Sequence, residues 1–355
     1  MNEHRVKRAR DIMLSSKVEC LVVTDPKIRT WLTGFRGSLG WAVLTQDKTA
    51  LFIDPRYTQQ ARSEAPRFEI KVCDFGQMLS GTAIAEALPY AAGSPLHLET
   101  TGLQYDTYCG MASALKQGQL IPAPGLLRSV RAVKDEAEIR LISKASGIAD
   151  ETVRLLRQNV RPGWTEKRVA WFIERTAQEM GADSMNFILA GSGPRSSLIH
   201  AAPTDRKIED GDILLVDIGP VVSGYGTDLT RSFVVGEPSE WQVQIFEIVK
   251  AAQQEAVERV RPGMTGHEAD KIARDPIRDA GYGEQFAHLL GHGLGMAAAE
   301  PPLLVEAGQD LLEPGSVVTI EPGIYLESKG GIRIEDTVVI TETGAKRLTH
   351  APIEL

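Results

Sequence analysis

Three blocks decide how this sequence reads: GHGLG at 291–295, SVVTIEPGIYL at 316–326 and GGIRIEDTVVIT at 330–341. The second and third are rich in β-branched and aliphatic residues, as strands require. Each carries a glutamate where the run predicts an apolar side chain. Glu321 follows Val317-Val318-Thr319-Ile320 and precedes Pro322-Gly323, and Glu335 sits inside Ile332-Arg333-Ile334-Glu335-Asp336-Thr337-Val338. A carboxylate embedded in a buried strand is costly unless it is paired or metal-bound. Both glutamates therefore need cationic company. His292, between two glycines, offers a nitrogen ligand close by.

Working outward, the same pattern occurs earlier in the chain. Val160-Arg161-Pro162-Gly163-Trp164-Thr165 returns as Val260-Arg261-Pro262-Gly263-Met264-Thr265, at an offset of 100. Gly211-Asp212-Ile213-Leu214-Leu215-Val216-Asp217-Ile218-Gly219 aligns with the stretch from Gly315 to Gly323 at an offset of 104. Two matches in one order at nearly one offset predict two related α/β halves about a pseudo-twofold axis, with one shared core. The repeat pairs Asp217 with Glu321. Asp228 follows Asp217 by 11 residues, and Glu335 follows Glu321 by 14. Each half then offers two carboxylates on adjacent strands of a hairpin.

Four carboxylates at such an axis would repel one another by several kcal/mol in a low-dielectric site. They become tolerable if they clasp two divalent cations, with His292 as a fifth ligand. The set Asp217, Asp228, His292, Glu321 and Glu335 suits a pair of Mn²⁺ ions, or Co²⁺, Zn²⁺ or Fe²⁺. A bridging water would ionise near neutral pH and act as nucleophile.

The remainder of the chain bounds this reading. At 355 residues two domains are expected, and 43% hydrophobic residues are enough for sizeable cores. A net charge of −8 argues against a general nucleic-acid or anionic-membrane binder. Cys20, Cys73 and Cys109 are odd in number and show no paired spacing, so they read as reduced thiols. There is no signal-peptide core and no apolar run long enough to span a bilayer, so a soluble, cytoplasmic protein is expected.

Residues 1–125 alternate strand and helix signals and predict an α/β domain with a mixed sheet. Trp41–Thr45 and Thr49–Ile53 read as a hairpin about Gln46-Asp47-Lys48. Cys20–Thr24, Phe68–Cys73 and Leu96–Glu99 read as strands, and Tyr57–Glu64 and Met78–Ala92 as helices. Ile121-Pro122-Ala123-Pro124-Gly125 reads as a linker. Beyond it, the apolar spacing of Ile139, Ile142, Ala145, Ile148, Ala149, Val153 and Leu156 predicts a long amphipathic helix over Lys134–Asn159. The second domain spans residues 126–355.

At VDIG (216–219), TDLTR (227–231), GHGLG, TIEPGIY and GIRIED the sequence resembles the pita-bread metallopeptidases of family M24: methionine aminopeptidase, aminopeptidase P and prolidase. TDPKIRTWLTGFRGSLGW (24–41) and LFIDPRYTQQA (51–61) resemble the N-terminal domain of the proline-specific and creatinase-like branch. The resemblance spans the chain. It implies an α/β (α+β) architecture: a pita-bread catalytic domain with a pseudo-twofold repeat, preceded by a creatinase-type N-terminal domain. The same five positions match the family's metal ligands. Residue by residue it implies more. His200 matches a substrate-side histidine, and His288 one that binds substrate or stabilises the transition state. Arg333 matches an arginine facing the substrate's carboxylate end, and Glu321 a proton-shuttling glutamate. His288 lies four residues before His292, which places the two on one side of a turn if the segment is helical. Trp31, Leu32 and Phe35 cluster with Arg36 on a Gly-flanked loop, and in isolation such a cluster reads as core; in the family that loop commonly reaches the active site of a partner subunit, so a homodimer with Arg36 at the partner's cleft is expected.

The implied activity is hydrolysis of short proline-containing peptides, as an Xaa-Pro dipeptidase or aminopeptidase. One departure stands out. The family usually places His-Glu before a proline after GHGLG, whereas here Ala299 precedes Glu300-Pro301. Losing one positioned donor of that kind can cost roughly 10²–10³ in rate. Ala299 keeps open a second reading, a hydrolase of a small-metabolite amide or C–N bond like the ectoine-hydrolase and creatinase relatives. The complete ligand set argues against the metal-free creatinase mode and against a chaperone-like binding module.

Overall fold

A computed structural model describes residues 2–355. The chain divides into two compact units, Met1–Arg131 and Ala132–Leu355. Among the described residues no helix is long and apolar enough to cross a membrane.

The first unit is built on a six-stranded sheet of β1 (Cys20–Val23), β2 (Trp41–Leu44), β3 (Thr49–Ile53), β4 (Glu69–Val72), β5 (Leu96–Glu99) and β6 (Leu120–Pro122). Its order is β4-β3-β2-β1-β5-β6. The β1/β2 and β2/β3 pairs are antiparallel, while β3/β4, β1/β5 and β5/β6 are parallel, so the sheet is mixed. β1 and β2 are buried at every position, in keeping with their unbroken apolar sequence. Three expectations need correcting. The helix expected over Met78–Ala92 is three short pieces, Phe75–Ser80, a 3₁₀ turn Thr82–Ala87 and Leu88–Ala91, because Gly81 takes a left-handed φ of 85°. Ile121 and Pro122 belong to edge strand β6 rather than to a linker, an edge being where a strand tolerates proline. Trp31 and Leu32 lie in the helix Pro26–Thr33, not in a loop; with Phe35 they are buried, as the core reading of the cluster has it. The Arg29 guanidinium donates to Gly40 O at 2.7 Å and also to Gly37 O, which ties down the following loop.

The second unit carries the repeat at the level of individual backbone bonds. The helices Glu136–Asn159 and Glu240–Arg259 end at Val160 and Val260, both extended. Gly163 and Gly263 follow with φ of 89° and 86°. Their N–H groups donate to Ile208 O at 2.8 Å and Leu312 O at 2.7 Å. Thr165 and Thr265 then cap the helices Glu166–Glu179 and Gly266–Ile277 by accepting from the backbone N–H three residues on. The first half supplies β7 (Ser184–Ser192), β8 (Asp212–Val222), β9 (Tyr225–Gly226) and β10 (Leu229–Val235), with order β10-β8-β7. The second half supplies β11 (Gly291–Gly293), β12 (Glu300–Leu304), β13 (Val317–Ile320), β14 (Gly323–Leu326), β15 (Gly330–Arg333), β16 (Asp336–Ile340) and β17 (Ala345–Arg347). Its five-stranded sheet runs β12-β11-β13-β16-β17, with β14 and β15 as a separate hairpin. The sequence β16-β13-β11 repeats β10-β8-β7, as the pita-bread architecture requires.

The two halves are joined where their acidic strands meet. Glu335 N–H donates to Thr230 O at 3.1 Å. Arg231 Nη2 meets Asp336 Oδ1 at 2.7 Å in a buried ion pair, and Gln253 Nε2 donates to Asp336 Oδ2 at 2.8 Å. A buried pair of this kind adds little net stability, while leaving either charge alone is expensive.

Candidate active site and metal centre

The acidic residues reach one point from four places. Asp217 lies mid-strand in β8 opposite Thr230, and Asp228 lies in the short link from β9 to β10. Glu321 directly follows β13, and Glu335 lies between β15 and β16. Asp228, Glu321 and Glu335 sit at strand ends or links, and Asp217 inside a continuous ladder, so backbone pairing is kept around all four. Asp217, Asp228 and Glu335 each present an oxygen such that the three lie within 4.8 Å of one another. His292 Nε2 is 3.5 Å from Glu321 Oε1 and 3.8 Å from Asp228 Oδ2. All five expected ligands are therefore brought together.

The outer partners of these side chains determine what faces inward. Arg333 Nη2 donates to Asp217 Oδ2 at 2.6 Å. Thr230 Oγ1 donates to Glu335 Oε2 at 2.5 Å, and Thr319 Oγ1 to Glu321 Oε1 at 2.9 Å. His292 Nδ1 lies 3.0 Å from Gly293 O, and a carbonyl only accepts, so Nδ1 carries a proton and Nε2 is the nitrogen that faces the carboxylates. Asp217 Oδ1, Asp228 Oδ1 and Glu335 Oε1 are buried and have no hydrogen-bond partner among the described residues. Buried polar atoms are rarely orphaned in this way. Three orphaned carboxylate oxygens beside a bare imidazole nitrogen form a donor set that fits divalent cations.

Without a cation the protein favours protons here. Burial, then the charges of Glu335, Asp217 and Glu321, push Asp228 well above the usual carboxylate range. Burial, then Glu321 and Asp217, do the same to Glu335. Burial lifts Glu321 to about 8, with the Arg333 charge pulling the other way.

Asp217, Asp228, His292 and Glu321 form one wall of a cavity of about 630 Å³. His200 and His288 line it beside Asp217, Asp228, His292 and Glu321, while Phe187, Leu189, Ile199, Leu289, Ala298 and Ala299 make an apolar wall. His200 is exposed on the turn after the 3₁₀ segment Gly193–Ser197. One carboxylate staples both ends of that turn. Glu166 accepts from Ser192 N at 2.9 Å and Thr204 N at 3.0 Å, and from both hydroxyls, with Arg195 Nε at 3.1 Å.

The segment that carries His288 is not helical. Residues 286–290 form an irregular segment entering β11, because a Cβ at Gly291 or Gly293 would strike Thr319 O or Pro301 O and β11 must pass between β12 and β13. His288 Nδ1 is 2.8 Å from Leu289 O, so it carries the proton, and Nε2 accepts from Tyr325 Oη–H at 2.8 Å. Burial, with the nearby Arg333 charge, lowers His288 to about 3, which keeps the ring neutral. Arg333 is buried, 1% exposed, and its Nη1 donates to Tyr325 Oη at 2.8 Å and Ile199 O at 3.1 Å. Its guanidinium is thus engaged inside the protein. Arg36, in the first unit, has a side chain 66% exposed, with Nε 3.8 Å from Glu64.

Sequence reasoning missed Tyr325, Glu166 and the threonines. A signal existed for two of these: Thr230 and Thr337 each follow one of the converging carboxylates, Asp228 and Glu335, by two residues, so the repeat pairs them. Nothing local marked Glu166, whose partners are 26 and 38 residues away.

With this geometry in place, comparison with known proteins is direct. Residues 140–342 match the sequence model of metallopeptidase family M24, and residues 5–133 that of the creatinase/prolidase N-terminal domain. The chain is 38% identical over 352 residues to the uncharacterized peptidase YqhT of Bacillus subtilis, covering 99% of each. It is 36% identical over 321 residues to a Xaa-Pro dipeptidase of Pyrococcus furiosus, covering 89% of this chain and 88% of that one. Among solved structures, a Xaa-Pro dipeptidase from Bacillus anthracis superposes with a TM-score of 0.94 at 32% identity over the full length of both chains. Site geometry, repeat and sequence agree: the chain belongs to metallopeptidase family M24.

Proposed function

We propose that this protein is a dinuclear metal-dependent Xaa-Pro dipeptidase or aminopeptidase acting on short proline-containing peptides. The observation that carries the proposal is the convergence of Asp217, Asp228, Glu321 and His292 on one cavity, with Glu335 grouped to Asp217 and Asp228 and three buried carboxylate oxygens unpartnered. The relatives named above as Xaa-Pro dipeptidases support the substrate class over the metabolite amide that Ala299 kept open.

Asp217, Asp228, His292, Glu321 and Glu335 would hold two divalent cations, Mn²⁺ being our first choice. Bound cations supply Lewis acidity to the scissile carbonyl and acidify a water. The protein's own groups do the rest. Glu321, with its side chain 13% exposed and Oε1 held by Thr319, is the carboxylate placed to take a proton and return it to the departing nitrogen. His200 meets the substrate from a turn that Glu166 makes rigid. His288, neutral with Nδ1–H committed to Leu289 O, offers substrate only Nε2, in exchange for Tyr325. The apolar wall including Ala298 and Ala299 suits a pyrrolidine ring and excludes water from it. Arg333 acts by orienting Asp217 and Tyr325 rather than by touching the substrate's carboxylate end. A cytoplasmic homodimer in which the exposed Arg36 meets the partner's substrate completes the proposal.

The test is hydrolysis by Mn²⁺-loaded protein of Xaa-Pro dipeptides, Xaa-Pro-Xaa tripeptides and non-peptide amides. Turnover of the proline peptides at ordinary enzyme rates, about 1–10³ s⁻¹, is expected. Cleavage of the amides alone would defeat the proposal.

A further inference from the structure

Thr230 and Thr337 are equivalent in the repeat, and both are buried at 0% exposure. Each reaches into the opposite half. Thr337 Oγ1 donates to Asp228 O at 2.8 Å and accepts from Asp228 N at 3.2 Å. Thr230 instead reaches a side chain, Glu335 Oε2, at 2.5 Å.

The direction of that bond is fixed by a third group. Arg333 Nε–H donates to Thr230 Oγ1 at 3.0 Å. An arginine nitrogen only donates, so the threonine oxygen accepts there and its own proton goes to Glu335. Glu335 Oε2 is thereby engaged, and Oε1 is left buried without a partner. Through Nη2 the same guanidinium holds Asp217 Oδ2 at 2.6 Å and leaves Oδ1 in the same condition. One arginine thus orients a carboxylate from each half, Asp217 directly and Glu335 through Thr230.

We propose that Thr230 is a positioning residue of the metal centre: it couples Arg333 to Glu335 and selects the oxygen that Glu335 turns toward the cations. This rests on the reading of Glu335 as a ligand. A hydroxyl is needed because the linking atom must accept from nitrogen and donate to carboxylate at once. Valine has the shape without that capacity, and serine has the capacity without the methyl.

The test is calorimetric titration of Mn²⁺ into the metal-stripped full chain, with bound metal counted after desalting and unfolding followed by circular dichroism. The variants are Thr230→Val, Thr230→Ala, Thr230→Ser and Ser146→Ala. Ser146 Oγ is equally buried, donates to Ile142 O at 3.0 Å, pairs with Thr227 at 2.8 Å and contacts no ligand carboxylate. Thr230→Val, or Thr230→Ala if the valine protein does not fold, should bind Mn²⁺ about 10–100-fold more weakly, with Thr230→Ser within about threefold of wild type and Ser146→Ala unchanged. Wild-type affinity in the folded valine or alanine protein would overturn the proposal, as would equal weakening in Ser146→Ala or no recovery in Thr230→Ser. Wild-type protein that takes up no Mn²⁺ would overturn the reading of the centre itself, and this proposal with it.

Discussion

Replacing Arg333 by methionine should destabilise the metal-free protein in a way that depends on pH and on metal. Arg333 is the guanidinium that Asp217 contacts, and it also bonds Thr230, Tyr325 and Ile199. Methionine keeps much of the volume but leaves the Asp217 carboxylate buried beside Asp228 and Glu335. Breaking a buried pair by removing one partner costs about 3–5 kcal/mol, or about 6–20 °C in melting temperature for a unit of this size. The sign with pH follows from the neighbouring acids. Asp228, Glu321 and Glu335 bind protons more tightly in the folded state than usual, Glu321 up to about 8 against an ordinary 4.5. Their stabilising contribution is therefore present below the ordinary carboxylate range and lost as pH rises through the folded values. The Arg333 charge opposes that loss at Glu321 and Glu335, so removing it should hurt most at alkaline pH. Thermal melts of Arg333→Met and wild type in chelator, at about pH 5.5 and about pH 8.5, should show the larger deficit at the higher pH. Saturating Mn²⁺ should narrow it, because cations replace the lost positive charge. A deficit equal at both pH values and indifferent to Mn²⁺ would refute this electrostatic account and leave only a packing defect.

Two other outcomes follow from the cavity. Glu166→Ala removes the acceptor shared by Ser192, Thr204 and Arg195, so the His200 turn should loosen. Peptide kcat/KM should fall about 5–100-fold, for about 1–3 kcal/mol of lost anchoring, while Mn²⁺ stoichiometry stays at the wild-type value; lost metal would show that the turn supports the centre rather than the substrate. Ala299→His places a polar ring on the apolar wall. If that wall receives an ordinary Xaa-Pro peptide beside a carbonyl needing a donor, turnover should hold or rise, whereas a fall with unchanged metal content would mean the imidazole occupies substrate volume.

The convergence of the acids was legible because the repeat turned single ambiguous residues into pairs. Asp217 alone reads as a strand residue; matched to Glu321 within two aligned blocks, it becomes one of four converging acids. The repeat of Val160–Thr165 as Val260–Thr265 was equally legible, and its glycines Gly163 and Gly263 share a left-handed φ that other residues rarely adopt. The condition set on His288 and His292, a helical segment, is not met: the two glycines around His292 answer to sheet packing against Thr319 and Pro301. The helix expected over Met78–Ala92 failed at Gly81, where composition permits a helix but the backbone reverses. Arg333 could be placed at the site but not oriented: its partners Asp217, Ile199 and Thr230 are 103 to 134 residues away, a distance at which local pattern carries no information.

The central claim is that Asp217, Asp228, His292, Glu321 and Glu335 together hold two catalytic cations. Anomalous diffraction at the manganese edge from crystals of Mn²⁺-loaded protein tests it most directly. Two strong peaks are predicted, each within about 2.0–2.4 Å of oxygen or nitrogen atoms from these five side chains. Mn²⁺-loaded, peptide-hydrolysing crystals with no peak there, or with manganese bound only elsewhere, would contradict the account.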